Sequence, residues 1–399
     1  MSVGVAVAAT ERPTSRARAW GSITLAAIAL PGVMAAHAEE PPEQGLIAFK
    51  YLRYKDSQAV DTRYPFYDGS EGSRLNRITV KAPSLYVLAP VGRWSIEGSG
   101  VIDQVSGATP RYYSDVSGAS RSPGMEDKRT AGDLKLTRYF ERGAVALGAA
   151  HSSENDYKST AVSLEGRYAS EDKNTTWNFG LAGTRDTINP VNEIVTNELK
   201  RTTEATLGVT QALSVRDIAQ FSLTHSMGHG YFDDPYKLYD HRPRKRDTNV
   251  GMLRWNHHIE SMSASVRSSY RYYSDSFGIR AHTVETAWVQ PVTPTFSVTP
   301  SLRYHTQNAA SFYVDPVADT AVYPGPAGNP QYSSADQRLS AFGGVTVGLK
   351  LELQLGSWVT DLKLERYQQR SGWRLGGNGS PGIDAFDATI VQLGLGTSF

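Results

Sequence analysis

Histidine, serine and acidic side chains are the residues here that could do chemistry. His225-Ser226, with His229 just beyond, are the residue types of a hydrolytic nucleophile and its base. A hydrolase would also need an Asn or acidic partner brought to the same face by neighbouring segments. The spacing does not match an outer-membrane lipase, and polar residues at a segment end account for the string. His257-His258 with Glu260 offers nitrogen and oxygen ligands for a metal. Adjacent residues of an extended segment point to opposite faces, so both histidines cannot readily hold one ion. Asp233-Asp234 and Asp240 could gather carboxylates for Ca²⁺, but the glycine and evenly spaced ligands of a calcium loop are missing. Gly376-Gly377-Asn378-Gly379 lacks the Lys-Ser/Thr ending of a phosphate loop. With no cysteine in 399 residues there is no thiol nucleophile, thiolate metal site or disulfide framework. The expectation is therefore no catalytic residue, no metal, no cofactor and no enzyme.

Two sets of charged residues remain. Arg242-Pro243-Arg244-Lys245-Arg246 is a basic run, and Arg242, Arg244, Lys245 and Arg246 could contact lipopolysaccharide phosphates. The second set is spread along the chain and alternates with apolar residues: Lys81, Glu97, Lys135, Glu165, Arg167, Glu285, Arg303, Asp361, Lys363 and Glu365.

The elements that would position this second set have a period of two. In Asp361-Leu362-Lys363-Leu364-Glu365 the leucines face one way and the charges the other, and Asp133 to Thr137 repeats the pattern. About sixteen such segments follow one another. They lie near 46–54, 76–88, 92–105, 130–140, 143–152, 157–170, 174–185, 202–213, 217–226, 246–258, 261–273, 279–290, 295–306, 336–354, 357–370 and 384–399. Connections alternate in length. Glu141-Arg142 and Leu355-Gly356 are short, whereas Lys55 to Leu75 and Gln307 to Ala335 are long. Transmembrane barrels have short turns at one end and longer loops at the other. Pro83 and Pro300 interrupt two segments, which predicts a bulge or bend at each. No apolar run is long enough for a helical span, and charged residues make up 20% of the chain.

The ends of the chain carry transport signals. Arg12, Arg16 and Arg18 precede an apolar stretch from Trp20 to Leu30, and Ala36-His37-Ala38 then gives an A-x-A cleavage pattern. Residues 1–38 therefore read as a signal peptide, with Ala36 and Ala38 marking a single cut after Ala38, and 39–399 as one barrel domain. Cleavage leaves acidic and basic residues nearly balanced, which offers nothing to a nucleic acid. At the other end, Gln392, Gly394 and Phe399 resemble the C-terminal strand signal read by the barrel-assembly machinery, while Thr397 departs from it.

Several strings resemble a family of Gram-negative outer-membrane proteins known as a domain of unknown function. They include Lys81-Ala82-Pro83-Ser84-Leu85, Ala131 to Phe140, Tyr231 to Lys237, Arg254-Trp255-Asn256-His257 and Tyr270 to Tyr273 with Gly278 to His282. The resemblance covers nearly the whole mature chain and implies a barrel but no activity. Such families often occur beside a small lipoprotein and thioredoxin-like or flavin-transfer proteins, which implies an envelope redox setting.

The reading is an all-β, transmembrane, antiparallel up-and-down barrel of about 16 strands in the outer membrane of a Gram-negative bacterium. Its partners are membrane lipid, lipopolysaccharide and the assembly machinery. The leading role is a porin-like channel for small solutes. A closed scaffolding barrel that docks a lipoprotein or a thioredoxin-like periplasmic protein is the alternative, and an enzyme the remote one. Leu362 and Leu364 facing inward would sink the membrane reading.

Overall fold

The computed structural model describes residues 40–59, 74–106, 120–121, 124–237, 239–315, 328 and 330–399. The signal-peptide assignment, with Ala36 and Ala38, lies outside these residues. Sixteen long strands follow in order: β1 (Leu46–Ala59), β2 (Arg74–Val91), β3 (Trp94–Ser106), β4 (Gly124–Phe140), β5 (Gly143–Ser153), β6 (Tyr157–Ala169), β7 (Thr175–Ile188) and β8 (Glu198–Ala212). The second half continues with β9 (Asp217–Gly230), β10 (Lys245–Ile259), β11 (Ala264–Asp275), β12 (Arg280–Pro291), β13 (Phe296–Gln307), β14 (Phe342–Leu355), β15 (Trp358–Arg370) and β16 (Phe386–Ser398). A two-residue extension, Ser120–Arg121, folds back on Gly124–Met125.

Every strand pairs antiparallel with its sequence neighbours, and β1 also pairs with β16, Leu46 opposite Ser398. The sheet is thereby closed and has no unpaired edge. Each inter-strand bond satisfies a backbone group that lipid could not. At one end the strands are joined tightly: Gly92-Arg93 links β2 to β3 and Gly356-Ser357 links β14 to β15. Gly92 and Gly356 sit at φ +58° and +62°, the left-handed start that a two-residue hairpin turn demands. The other end carries the longer connections, with short exceptions at 154–156 and 276–279.

Alternation decides which face is which. Leu207, Val162 and Leu147 stand 68%, 62% and 60% exposed on the outer wall. Asp361, Glu365 and Lys50 point inward and are 5%, 6% and 2% exposed. Leu364 is exposed on the outside, so the leucine face of β15 is the outer one. A soluble protein would bury these leucines, whereas a membrane barrel must show them to lipid. Trp94, Trp177, Trp255, Trp288 and Trp358 all sit on strands within five residues of a short turn. They make an aromatic girdle at one membrane interface.

Two local expectations change. Neither Pro83 nor Pro300 shifts the register: Pro83 faces Tyr51 and Pro300 faces Leu349 in unbroken ladders. Toward the other neighbour, pairing lapses for two residues and resumes in the same register. A missing N–H costs ladder bonds on one side only, and no extra residue is inserted. The bulge of this region lies instead at Lys55/Ser57. The segment beginning at 336 is also not strand until Phe342. Asp336 caps a short 3-10 turn, Gln337–Leu339, by accepting from the Arg338 backbone N–H.

Candidate functional site

The inner wall carries short charge pairs, some set by cross-strand register and some by the two-residue spacing along one strand. Glu97 on β3 faces Lys135 on β4, with Nζ to Oε1 2.9 Å, and the Tyr86 hydroxyl donates to Glu97 at 3.1 Å. Lys363 lies 3.3 Å from Glu365, two residues along β15. Lys350 and Glu352 repeat that spacing on β14 at 2.6 Å. Asp186 takes Lys200 at 3.1 Å and accepts from Ser159 and Tyr157. Glu285 and Arg303 are opposite one another on β12 and β13. Two buried inner atoms, Arg303 Nη1 and Asp361 Oδ1, have no hydrogen-bond partner among the described residues.

Of the ten residues read as interior from the sequence, nine lie on the inner side: Glu97, Lys135, Glu165, Arg167, Glu285, Arg303, Asp361, Lys363 and Glu365. Lys81 does not. It is exposed on the outer wall, on the same face as Leu85, while Val80 and Ala82 point inward with 0% exposure. The reason is an apolar cluster inside the barrel towards its long-loop end. Leu52, Val80, Val101, Ala131, Tyr367 and Ile390 pack together there. At that level the inner face is the apolar one, so period-two polarity is inverted.

The long-loop end carries a second polar assembly. Arg242 donates to Asp240 at 2.7 Å and to Asp336 at 2.8 Å, and Arg338 reaches Asp234 at 2.8 Å as well as Asp336. Ser334 donates to Asp240 at 2.5 Å, and the Tyr236 hydroxyl donates to Asp156 at 2.5 Å. Burial alone would push the Asp336 carboxyl up, but the adjacent Arg338 and Arg242 guanidinium groups hold it well below the usual carboxylate range. Burial opposes the charge of Arg242 too, and Asp240 and Asp336 more than offset it. Beside this network Phe277, Ile279, Ala310 and Leu339 form an apolar cluster joined by Phe232 and Phe312. Loops from separate hairpins are thus tied into one ordered unit.

This arrangement revises the basic run. Arg242 is buried in the network. Arg246 is turned towards Asp275, 2.7 Å away, with its guanidinium over Phe277. Arg244 and Lys245 are exposed, but each is paired, with Glu198 and Asp247. Neighbours in sequence are therefore dispersed, and no open cationic patch forms there. The same loops absorb Asp233, Asp234 and Asp240 as partners of backbone and guanidinium donors. No metal-holding cluster occurs among the described residues.

The histidine strings are also separated by the pleat. His225 is exposed on the outer face and shares a 2.8 Å hydrogen bond with Asn249, whereas Ser226 is buried on the inner face. His257 contacts Asp217 at 2.8 Å on the outer wall, and His258 faces the other way, towards Ser265. Neither string builds a dyad or a shared ligand set.

At the chain's last strand, Gln392 and Gly394 point inward and Phe399 is 65% exposed. A side chain on Gly394 would meet the Asp361 carboxylate at 2.0 Å. Phe399 and Gly45 exchange backbone hydrogen bonds of 2.9 and 3.0 Å, and the Phe399 ring covers the space where a Gly45 side chain would stand.

The family described as protein of unknown function, DUF3570, matches residues 20–199 and 191–390. The chain belongs to this family. No curated protein matches it. Among solved structures it is similar to the siderophore receptor PirA from Pseudomonas aeruginosa, at 9% identity and a TM-score of 0.46. That alignment covers 88% of this chain and 62% of the receptor, so the chain spans less than two thirds of the receptor's length. It is similar to a Pseudomonas aeruginosa FadL homologue at 10% identity and a TM-score of 0.41, covering 91% and 96% of the two chains. For Acinetobacter baumannii OccAB1 the figures are 8%, 0.44, and 92% and 99%.

Proposed function

We propose that this DUF3570 protein is an outer-membrane barrel of a Gram-negative bacterium that lets small solutes pass through a charged, narrowed lumen. One observation carries the reading. Inner-wall charges such as Glu97, Lys135 and Glu352 keep side-chain exposures of 20%, 24% and 32% inside a ring of sixteen strands. A barrel of that size leaves room for water unless it is filled. Because the inner charges are paired with opposite signs, the passage would select weakly between anions and cations. The inward polar faces and the Gln392, Gly394 and Phe399 ending support delivery by the barrel-assembly machinery. The chemistry needs no cofactor and no catalytic residue.

The test is single-channel conductance of refolded mature protein in a planar bilayer. Open steps with weak ion selectivity are expected. Lys135→Gln, which leaves Glu97 uncompensated, should shift the preference towards cations. Folded protein that never conducts would reject the channel. The apolar cluster of Leu52, Val80 and Ile390 inside the wall favours the second reading, a closed barrel that docks a small lipoprotein or thioredoxin-like periplasmic partner.

A further inference from the structure

The outer wall holds three cations that no described residue neutralises. Along β1 the outward side chains run Ile47, Phe49, Tyr51, Arg53 and Lys55. Arg53 stands directly opposite Lys81 of β2, and Lys55 is opposite Thr79 on one side and Thr389 of β16 on the other. Arg53, Lys55 and Lys81 are all exposed. Among the described residues none of them has an ion-pair partner. The outward carboxylate two residues from Thr389, Asp387, is fully buried and taken by Arg370 at 3.2 Å and Arg366 at 3.7 Å. The neighbouring inward carboxylate, Asp56, accepts from Tyr54 and the Ile78 backbone on the opposite face.

Two cations facing each other across a ladder, about 5 Å apart at Cβ, repel. A third about 7 Å further up the same face adds to the repulsion. The arrangement is stable where an anion lies among them. Its height identifies the anion's source. Val91, beside a short turn, and Lys81 bracket the outward run of Pro83, Leu85, Val87 and Ala89. Ten residues of strand span about 33 Å, or about 25 Å along the membrane normal at the usual tilt, which is the height of the apolar band. The three cations thus lie at its far rim, on the side of the long loops. Just below them Phe49 and Leu85 are 47% and 49% exposed, ready for acyl chains.

We infer that the β16–β1–β2 wall is a binding site for the phosphate of an outer-leaflet glycolipid, with Arg53, Lys55 and Lys81 around the phosphate and Phe49 and Leu85 along an acyl chain. Arginine can take two phosphate oxygens at once, and the lysines add point charge. The inference rests on the membrane placement proposed above. Insertion of the same preparation into bilayers tests that placement separately.

The experiment is native mass spectrometry of the refolded protein in detergent, titrated with diphosphoryl lipid A and with its dephosphorylated form. The wild type should retain the phosphorylated lipid preferentially. Arg53→Gln/Lys55→Gln/Lys81→Gln should bind it at least roughly ten-fold more weakly, while Arg244→Gln/Lys245→Gln should bind like the wild type. Millimolar inorganic phosphate should not displace the lipid. Equal retention of both lipids, an unaffected triple variant, or displacement by inorganic phosphate would each overturn the inference. Thermal melting without lipid adds a second check. The triple variant should melt at the same temperature or higher, because it has lost only repulsion. A clearly lower melting temperature would mean that the cations have partners within the protein, and would also overturn it.

Discussion

Replacing Arg242 with Ala should open the loop assembly without unfolding the barrel. Its guanidinium makes 2.7 Å contacts with both oxygens of Asp240 and a 2.8 Å contact with Asp336. The side chains involved are 9%, 0% and 1% exposed. After the change Asp336 keeps Arg338, while among the described residues Asp240 keeps the Ser334 hydroxyl and the Asp234 backbone as hydrogen-bond donors and the charge of the buried Lys237 nearby, so the cost lies towards the lower end of the range for a broken buried pair. Breaking a buried ion pair from one side costs about 3–5 kcal/mol, because a charge is left buried without compensation. That corresponds to roughly a hundred- to several-thousand-fold rise in the opened loop population. Chymotrypsin acting next to Tyr239 in the assembled barrel would report it, since cleavage tracks the open fraction when reclosing is fast. The closed ladder should leave heat-modifiable mobility unchanged. Arg244→Ala is the internal comparison: an exposed pair with Glu198 is worth no more than about 1 kcal/mol, or about five-fold in cleavage. Cleavage of the Arg242 variant no faster than that of the Arg244 variant would refute the claim that the buried network holds the loops.

Acid should act on the same unit. The Asp336 carboxyl is held well below its unfolded value of 3.8, so its stabilisation is complete above that pH and is lost as pH falls below it towards the folded value. Chymotrypsin is inactive there, so pepsin digestion below pH 4 should show the loops opening before the barrel melts; loops still protected at the barrel's own acid transition would contradict this. On the lipid side, Leu147, 60% exposed in the middle of β5, should tolerate Ala but not Arg. Leu147→Arg should cost about 2–4 kcal/mol if it lies at the bilayer midplane, read as a lower urea midpoint in lipid vesicles. An unchanged midpoint would place that face in water.

Much of this architecture is visible in period two alone. Asp361 to Glu365 and Asp133 to Thr137 alternate without exception, and each structural strand puts the leucines outside and the charges inside. The alternation of short and long connections is likewise visible in the sequence, as at Glu141-Arg142 and Leu355-Gly356. The loop network was not legible, because its partners are far apart in sequence: Arg242 and Asp336 are 94 residues apart, and Arg338 and Asp234 are 104 apart. Nothing in Arg242 to Arg246 as a string says that alternate arginines turn towards Asp336 and Asp275. Lys81 was misplaced for a different reason. Polarity assigns a face only when one side of the strand is lipid, and the rule fails where the interior itself is apolar.

That failure marks a boundary in the molecule. β2 has 18 residues and β4 has 17, whereas about 9–11 tilted residues suffice to cross a membrane. The surplus lies at the long-loop end. Below Tyr51, the outward positions of β1 are Phe49 and Ile47 and the inward ones include Lys50; above it, Arg53 and Lys55 point out while Leu52 and Tyr54 are buried within. The lower part has the polarity of a membrane barrel and the upper part that of a soluble one. A strand that reverses its polarity over two residues must meet a change of solvent there, since neither arrangement is favourable in the other's surroundings. The charged anchors belong at that seam. It is where Arg53 and Lys81 face each other, and where an anionic headgroup would join the two halves of the wall.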